Sequence, residues 1–346
     1  MKNKIIKVIC LIGCVLILSG CGSRNYIVEK SNDKQKKDKI VYYEKTGQTV
    51  PTNILCKPTD KKLLDIYQKY NKQLKVPLEK LPECKEFKIN LKGSKSIWEG
   101  LFIKPLAFLI IKLGEIVKNY GISVILIGLA IRLLLLPVSL KTQKQSENMK
   151  KIQPEMQKIE KKYANQTTND AMMAKSQEMM MLYKKYNVSP FSSCLLAFIQ
   201  LPLFLAFLQA INRVPVIFED SLFGMYLGMT PLNGLKSGKY IYIVLIILII
   251  VTTYLSLKKT LDSTSGANPE QAKSMKTTLY MSIGLIVFTS FNLSTAIGLY
   301  WVATNGFIVI QNYVIKKIIE RNPKKRDNKT RSTKKMSIKE KVEKRR

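Results

Sequence analysis

The chain has 346 residues, of which 46% are hydrophobic, and its formal net charge is +33 at pH 7. It contains no histidine, which excludes serine–histidine triads, HExxH zinc sites and histidine proton relays. No Walker or GxGxxG phosphate-binding motif is present in the sequence, so catalysis is the less favoured class of function and we expect neither a cofactor nor a metal site. The apolar residues fall into long runs, a pattern typical of polytopic membrane proteins.

The N-terminus is predicted to be a lipoprotein signal peptide that covers residues 1–20. A basic start and an apolar run lead directly into the tetrapeptide LSGC, which ends at Cys21. Lipidating and cleaving enzymes require small residues before such a cysteine, so we predict that Cys21 carries the diacylglyceryl group. The alternative is an uncleaved anchor helix with an incidental cysteine.

The next segment, residues 21–95, is polar and rich in lysine. We expect it to lie outside the cell after translocation. It contains the cysteines Cys56 and Cys84, for which the oxidising exterior makes a disulfide possible, although two independent thiols remain an equal alternative. Residues 61–74 have helical spacing and predict a small helix within this segment.

Residues 96–119 are apolar but include five charged side chains, with Trp98 near the start. This combination favours an amphipathic helix that lies in the membrane interface on the external side. A true membrane span is the alternative, and it would invert the topology of everything downstream.

The first predicted span, residues 121–140, is almost wholly apolar but contains Arg132. A guanidinium stays protonated, and near the centre of a spanning helix it costs about 3 kcal/mol. We therefore predict that Arg132 faces a polar cavity, with snorkelling to the interface as the simpler alternative. Pro137 cannot donate a hydrogen bond to Leu133, which predicts a kink just beyond the charge.

Residues 141–190 predict a helical hairpin. In its first helix an apolar stripe recurs at steps of three and four residues, and residues 164–169 form a polar turn before a second helix over 170–186. The second helix is rich in methionine, which either fills the seam of the hairpin or offers a pliable surface to apolar partners.

Four further spans are predicted, and together with the first they give a polytopic protein with its two ends on opposite sides of the membrane. They cover residues 194–211, 240–257, 277–291 and 296–315. Basic residues outnumber acidic ones by ten to five in the hairpin and by fifteen to four from Lys316 onward. The positive-inside rule makes both regions cytoplasmic and the N-terminal end external.

Five separated segments carry a family resemblance: NYGISVILIGLAIRLLLLPVSLKTQKQSENM, QPEMQKIEKKY, QEMMMLYKKYNVSPFSSC, FIQLPLFLAF and GLYWVATNGFIVIQ. With them, residues 96 to about 317 resemble the YidC/Oxa/Alb membrane protein insertase family in its five-span lipoprotein form, typical of Gram-positive bacteria. The resemblance implies an all-α polytopic membrane protein, in which five transmembrane helices surround a hydrophilic groove. It also implies a cytoplasmic helical hairpin and an external interfacial helix.

The same resemblance implies site residues and a function. Arg132 and Gln200 would face the groove, and the aromatic pair Tyr300 and Trp301 would lie along the path of the substrate. The expected function is an insertase and chaperone that moves newly made membrane proteins from the cytoplasm into the bilayer and assists their folding.

The expected partners are nascent membrane proteins, membrane lipid and the ribosome, which the hairpin and the basic tail 318–346 would contact. The general secretion channel is a further candidate partner. Ribosomal RNA and anionic lipid are both suitable ligands for the tail. The rival function is a small secondary transporter or an anion channel, but the five predicted spans contain no Asp or Glu, which disfavours proton-coupled transport.

Overall fold

The structure is a computed structural model that describes residues 26–30, 38–90, 94, 96–166, 168–189, 192–264 and 269–321. The predicted signal peptide, Cys21 and the tail beyond residue 321 lie outside the described residues. Most of the described chain is helical. Its α-helices are α1 (Lys61–Lys69), α2 (Lys104–Val117), α3 (Tyr120–Leu134), α4 (Leu136–Lys162), α5 (Asn169–Lys185), α6 (Ser192–Asn212), α7 (Pro215–Glu219), α8 (Pro231–Lys236), α9 (Ile241–Thr264), α10 (Pro269–Ser290) and α11 (Thr295–Arg321).

Short β-strands also occur beside the helices. The described residues contain three antiparallel pairs of two-residue strands: β1 (Val28–Glu29) with β2 (Lys39–Ile40), β3 (Tyr42–Tyr43) with β4 (Gln48–Thr49), and β5 (Ser221–Leu222) with β6 (Met225–Tyr226). Tight turns with glycines at positive φ close the last two pairs. Such short pairs leave too little periodicity in the sequence to be predicted.

The main bundle is built around α11. α3 and α9 both pack against α11, α2 packs against α3, and α10 packs against α9. α6 contacts α2 and α4. The shared core buries side chains from α3, α6, α9 and α11, including Val124, Phe207, Leu245 and Tyr300.

The helix of the first predicted span is broken before residue 140. α3 ends at Leu134, α4 begins at Leu136, and their axes differ by 54°. Pro137 lies in the first turn of α4, where its missing N–H leaves the preceding helix without its next hydrogen bond. Residues 136–140 therefore continue into the hairpin helix.

The other predicted spans coincide with α6, α9, α10 and α11 to within a few residues at most of their ends. α9 and α10 extend further into the predicted basic connection, and α11 continues to Arg321. By length and composition, only α9 among the described helices could cross a bilayer alone, through Ile241–Lys258; α3 passes that test only together with Leu136–Met149. The described apolar parts of α6 and α10 are shorter.

The hairpin consists of α4 and α5. Ile152, Leu182 and Val188 are buried in its seam, and the stripe of the first helix packs around them. Two ion pairs tie the helices together, Lys162 with Glu178 and Lys185 with Glu155. The exposed methionines of α5 lie outside the seam, at positions Met172, Met173, Met180 and Met181.

Residues 26–30 and 38–90, called here the capping segment, form a small unit with its own core. Ile27, Tyr43, Val50, Leu63 and Tyr67 are buried in that core. α1 begins where the Asp60 carboxylate accepts a hydrogen bond from the backbone of Leu63. A disulfide joins Cys56 to Cys84, and this pair packs on the main core.

The capping segment docks on the bundle through a buried ionic cluster. The Arg213 guanidinium lies 3.3 Å from the Glu99 carboxylate, and the Lys104 ammonium lies 4.0 Å from the same oxygen. Arg213 also donates to the backbone oxygen of Asn53, and Lys104 donates to that of Asn90. These three charged side chains are only 10 to 13% exposed, so the capping segment is held by groups that water barely reaches.

The capping segment and the hairpin occupy opposite ends of the bundle. α3 begins beside Asp220 and Ser221 near the capping segment and leads into α4 at its other end. α6 runs in the reverse direction, from the hairpin to Arg213. The fifteen residues of α3 separate the two ends by about 22 Å.

Loss of the Glu99 carboxylate from the ionic cluster should destabilise the fold. Burial lowers the pKa of Lys104, while Glu99 raises it and Arg213 lowers it further. Replacing Glu99 by Gln leaves two neighbouring cations without a counter-charge and should cost about 3 kcal/mol of unfolding free energy. We expect a lower melting temperature in detergent and faster proteolysis of the capping segment.

The matched control is Glu83→Gln, which removes the more exposed partner of Lys57 and should cost less than about 1 kcal/mol. If the two substitutions lowered the unfolding free energy equally, the ionic cluster would not be what holds the capping segment on the bundle.

Candidate functional site

Arg132 lies in the last turn of α3 and is partly buried. None of the ion pairs formed within the described part of the chain includes it. Tyr300 of α11 interacts with it electrostatically. A cation in an apolar bundle without a carboxylate partner is the most unusual feature of the site.

Gly128 brings α3 close to α11 one turn before Arg132. A Cβ atom at Gly128 would lie 2.9 Å from Cδ2 of Tyr300 and 3.3 Å from Cγ2 of Thr304. Only a glycine permits this approach without moving the tyrosine ring. The close contact fixes the last turn of α3, and with it Arg132, beside α11.

An aromatic layer crosses the bundle at this level. The rings of Tyr300 and Phe207 stack with centroids 4.1 Å apart, and Phe204 meets Trp301 edge-on at 5.2 Å. Tyr300 is 2% exposed, whereas Trp301 is partly buried. The ring of Tyr300 is therefore a packing element, and of the predicted aromatic pair Trp301 is the more accessible member.

Gln200 lies on the hairpin side of the aromatic layer, one turn before Phe204 on α6. Its side chain is within hydrogen-bonding reach of the Tyr300 hydroxyl. Its Oε1 atom is buried and accepts no hydrogen bond from the described residues. Arg132 and Gln200 thus face the same tyrosine from α3 and α6.

Polar side chains continue from this point toward the hairpin and link the helices. The Trp301 indole donates to Thr253 at 2.9 Å, and Ser256 donates to Asn305 at 3.0 Å. Nearer the hairpin, Gln311 donates to Ser139 and Gln143 donates to Asn312, each at 2.8 Å. We call the set Arg132, Ser139, Gln143, Gln200, Thr253, Ser256, Asn305, Gln311 and Asn312 the polar seam.

The capped side of the aromatic layer is different. Ala206, Ala210 and Ile211 of α6 are fully buried there beside other apolar side chains. Ser123 is also fully buried, but its hydroxyl donates to the backbone oxygen of Ile110 at 2.6 Å. The aromatic layer therefore separates a largely apolar core from the polar seam.

Comparison with known proteins identifies the bundle. The sequence model of the family described as 60Kd inner membrane protein matches residues 112–324. A membrane protein insertase YidC of Alkalihalophilus pseudofirmus is 34% identical over 223 residues, which cover 64% of this chain and 82% of the relative. The membrane protein insertase MisCA of Bacillus subtilis is 34% identical over 232 residues, with coverage of 66% and 84%. The chain belongs to the YidC insertase family.

The predicted family resemblance is therefore confirmed, and the names of these relatives support an insertase function. The matched region runs from α2 to just beyond α11 and leaves out the capping segment. A crystal structure of active YidC insertase with its first transmembrane domain resolved aligns at a TM-score of 0.47 and 22% identity, covering 65% of this chain and 48% of that chain. This chain thus spans about half the length of that structure's chain.

The polar seam contains residues that sequence reasoning did not single out. Thr253 and Ser256 lie three residues apart in one predicted span, and Asn305 and Gln311 lie in another. These residues could have been found from the sequence, because they are polar residues within apolar runs. Among the described residues no group of His, Cys, Asp or Glu could hold a metal ion.

The contact at Gly128 yields a stability prediction. Gly128→Ala should lower the unfolding free energy by about 1 to 2 kcal/mol, because the stacked Tyr300 ring cannot move away from the new methyl group. Gly306→Ala on α11 is the control, since a Cβ there meets nothing within 4 Å and alanine favours the helix. Thermal unfolding in detergent measures both, and a Gly128→Ala protein as stable as the control would refute the close packing.

Proposed function

We propose that the protein is a membrane protein insertase and chaperone in which the polar seam is a hydrophilic groove open toward the hairpin. The observation that carries the proposal is the position of Arg132. It is partly buried and lacks a carboxylate partner within the described chain. In this proposal the Arg132 guanidinium transiently binds an anionic group.

The proposed topology has five spans, formed by α3 with the start of α4, and by α6, α9, α10 and α11. The hairpin and the basic tail are cytoplasmic. The capping segment is external, Cys21 anchors it to lipid, and α2 lies in the interface. The excess of basic residues in the hairpin and the tail supports this orientation.

The groove is proposed to admit water from the hairpin end only. Side chains of the seam on α4, α6, α9 and α11 offer hydrogen-bonding groups along that half of the bundle. The aromatic layer of Phe204, Phe207, Tyr300 and Trp301 closes the groove toward the capped end. A polar segment that enters the groove then has a shorter hydrocarbon distance to cross.

In the proposed cycle, Arg132 attracts an acidic part of the hydrophilic segment of a nascent protein. Attraction between charges is stronger in a partly dehydrated site than in water, yet a single charge pair leaves release possible. Apolar parts of the same substrate move past Trp301 into lipid, driven by removal of apolar surface from water. The step is partitioning and involves no change in covalent bonds.

The cytoplasmic elements are proposed to receive the substrate and the ribosome. Met172, Met173, Met180 and Met181 form an exposed, unbranched apolar surface on α5, which suits apolar segments of varied sequence. The fifteen basic residues from Lys316 onward suit ribosomal RNA through counterion release.

The proposal is tested in cells depleted of their own insertase. The readout is protease accessibility of the external tail of a single-span substrate whose tail is acidic. Arg132→Ala should reduce exposure of that tail about tenfold at equal membrane abundance, because the attraction for the acidic segment is lost. Arg132→Lys should retain part of the activity, since it keeps the charge.

Two controls make this result specific. Leu134→Ala alters an exposed side chain of the same helix turn and should leave insertion unchanged, and a substrate with a neutral tail should depend little on Arg132. Full activity of Arg132→Ala on the acidic substrate would refute the proposed role. Ion flux through liposomes that contain the protein but no substrate would instead support a channel.

A further inference from the structure

Carboxamides are the most frequent polar groups of the polar seam. Five of its nine residues carry one, namely Gln143, Gln200, Asn305, Gln311 and Asn312. None of the nine carries a carboxylate. A carboxamide is neutral and offers both hydrogen-bond donors and an acceptor, the two kinds of group that a peptide bond also presents. The chemistry of the seam therefore matches that of a polypeptide backbone.

Two carboxamides of α11 use only one of their two polar atoms in the fold. Gln311 donates through Nε2 to Ser139, and Asn312 accepts through Oδ1 from Gln143, each at 2.8 Å. The Oε1 atom of Gln311 and the Nδ2 atom of Asn312 form no hydrogen bond with any described residue. One acceptor and one donor are thus left on consecutive residues, although Gln311 is only 8% exposed.

A third free group lies deeper in the seam. The Oε1 atom of Gln200 is buried and accepts no hydrogen bond from the described residues. From Tyr300, which the Gln200 side chain approaches, to Asn312, α11 advances by roughly 18 Å. This is the length of about five residues of extended chain. One short extended segment is therefore long enough to reach all three free groups.

A polypeptide that enters a bilayer in extended form requires such groups. Its peptide N–H and C=O groups have no partners within the segment, and leaving them unpaired in hydrocarbon is strongly unfavourable. A helical segment pairs these groups internally. An extended polar segment depends instead on the hydrogen-bonding groups that surround it.

We propose that the carboxamides of the polar seam bind the peptide backbone of an extended polar segment of the substrate, whatever its side chains are. The Oε1 atoms of Gln200 and Gln311 accept from peptide N–H groups, and the Nδ2 atom of Asn312 donates to a peptide C=O. This inference rests on the proposed insertase function. It specifies what the groove recognises in a segment that carries no charge for Arg132.

The two side-chain bridges between α4 and α11 lie at the hairpin end of the seam, where such a segment enters. α4 packs on α6, and its axis is turned by 54° from that of α3. Hydrogen bonds between the side chains of membrane-spanning helices contribute little stability. An entering backbone can therefore exchange with these bridges, because it offers bonds of the same kind.

Replacing peptide bonds of the substrate by esters tests the inference without any change in the protein. Full-length protein in liposomes receives a synthetic single-span polypeptide with an uncharged polar tail, and protease protection of the tail measures insertion. Esters at alternate positions of the tail remove N–H donors. Insertion should fall about fivefold for each hydrogen bond lost.

The opposite sign is expected if the groove offers the backbone no partners. Removing an N–H group then lowers the cost of burying the tail, and the ester tail should insert faster than the amide tail. A third tail with the same residues in scrambled order should insert as well as the first, because the backbone is unchanged.

A protein variant locates the contact. Gln311→Met removes the acceptor at similar side-chain volume, so the ester tail should lose less insertion in this variant than in the unsubstituted protein. Gln209→Met is the matched control, because Gln209 lies on α6 beyond Phe207, on the capped side of the aromatic layer. It should leave the effect of the esters unchanged. Melting temperatures in detergent show whether both variants are folded.

Equal or faster insertion of the ester tail would overturn the inference, and so would a strong dependence on the order of the side chains in the tail. An undiminished ester effect in Gln311→Met would overturn the assignment of its Oε1 atom as an acceptor. If the unmodified amide tail were not inserted at all, the proposed insertase function itself would be contradicted, and the inference would be lost with it.

Discussion

The arrangement of the bundle depends on one constraint: the permanently charged guanidinium of Arg132 lies among apolar helices, and no carboxylate of the described residues forms an ion pair with it. Arg132 cannot lose its proton. Its charge must therefore be stabilised by polar groups, by water or by an anionic segment that binds transiently. The neighbouring elements are consistent with that need. Gly128 lets α3 approach Tyr300 closely, and Gln200 brings a buried acceptor to the same point from α6.

The two ends of the bundle differ in the side chains that lie between their helices. At the capped end, apolar packing, the ionic cluster of Glu99, Lys104 and Arg213, and the docked capping segment form a closed structure. At the hairpin end, hydrogen-bonding side chains line the space between helices, as in the pair of Ser256 and Asn305. This asymmetry is the physical basis for the proposed one-sided groove.

A charged or helix-breaking residue inside an apolar run could be recognised from the sequence alone. Arg132 in an apolar run predicted a charge within the bundle, and Pro137 five residues later predicted the break between α3 and α4. The hydrogen-bond partners on other helices could not be predicted. A single polar residue such as Thr253 or Asn305 fits into an apolar helix wherever its partner lies, so the sequence does not reveal that partner. The docking of Arg213 on Glu99 and the turn at Phe223 likewise arise from tertiary contacts that have no periodic signal.

The most direct test of the account is the accessibility of the polar seam to water. In a Cys194→Ser background, Ser256→Cys on α9 should react with a membrane-impermeant maleimide added from the hairpin side and not from the capped side. Ile247→Cys, which is exposed on the surface of the same helix, should react from neither side within the bilayer. Protection of Ser256→Cys from both sides would contradict the hydrated groove, and labelling from the capped side would contradict its closure by the aromatic layer.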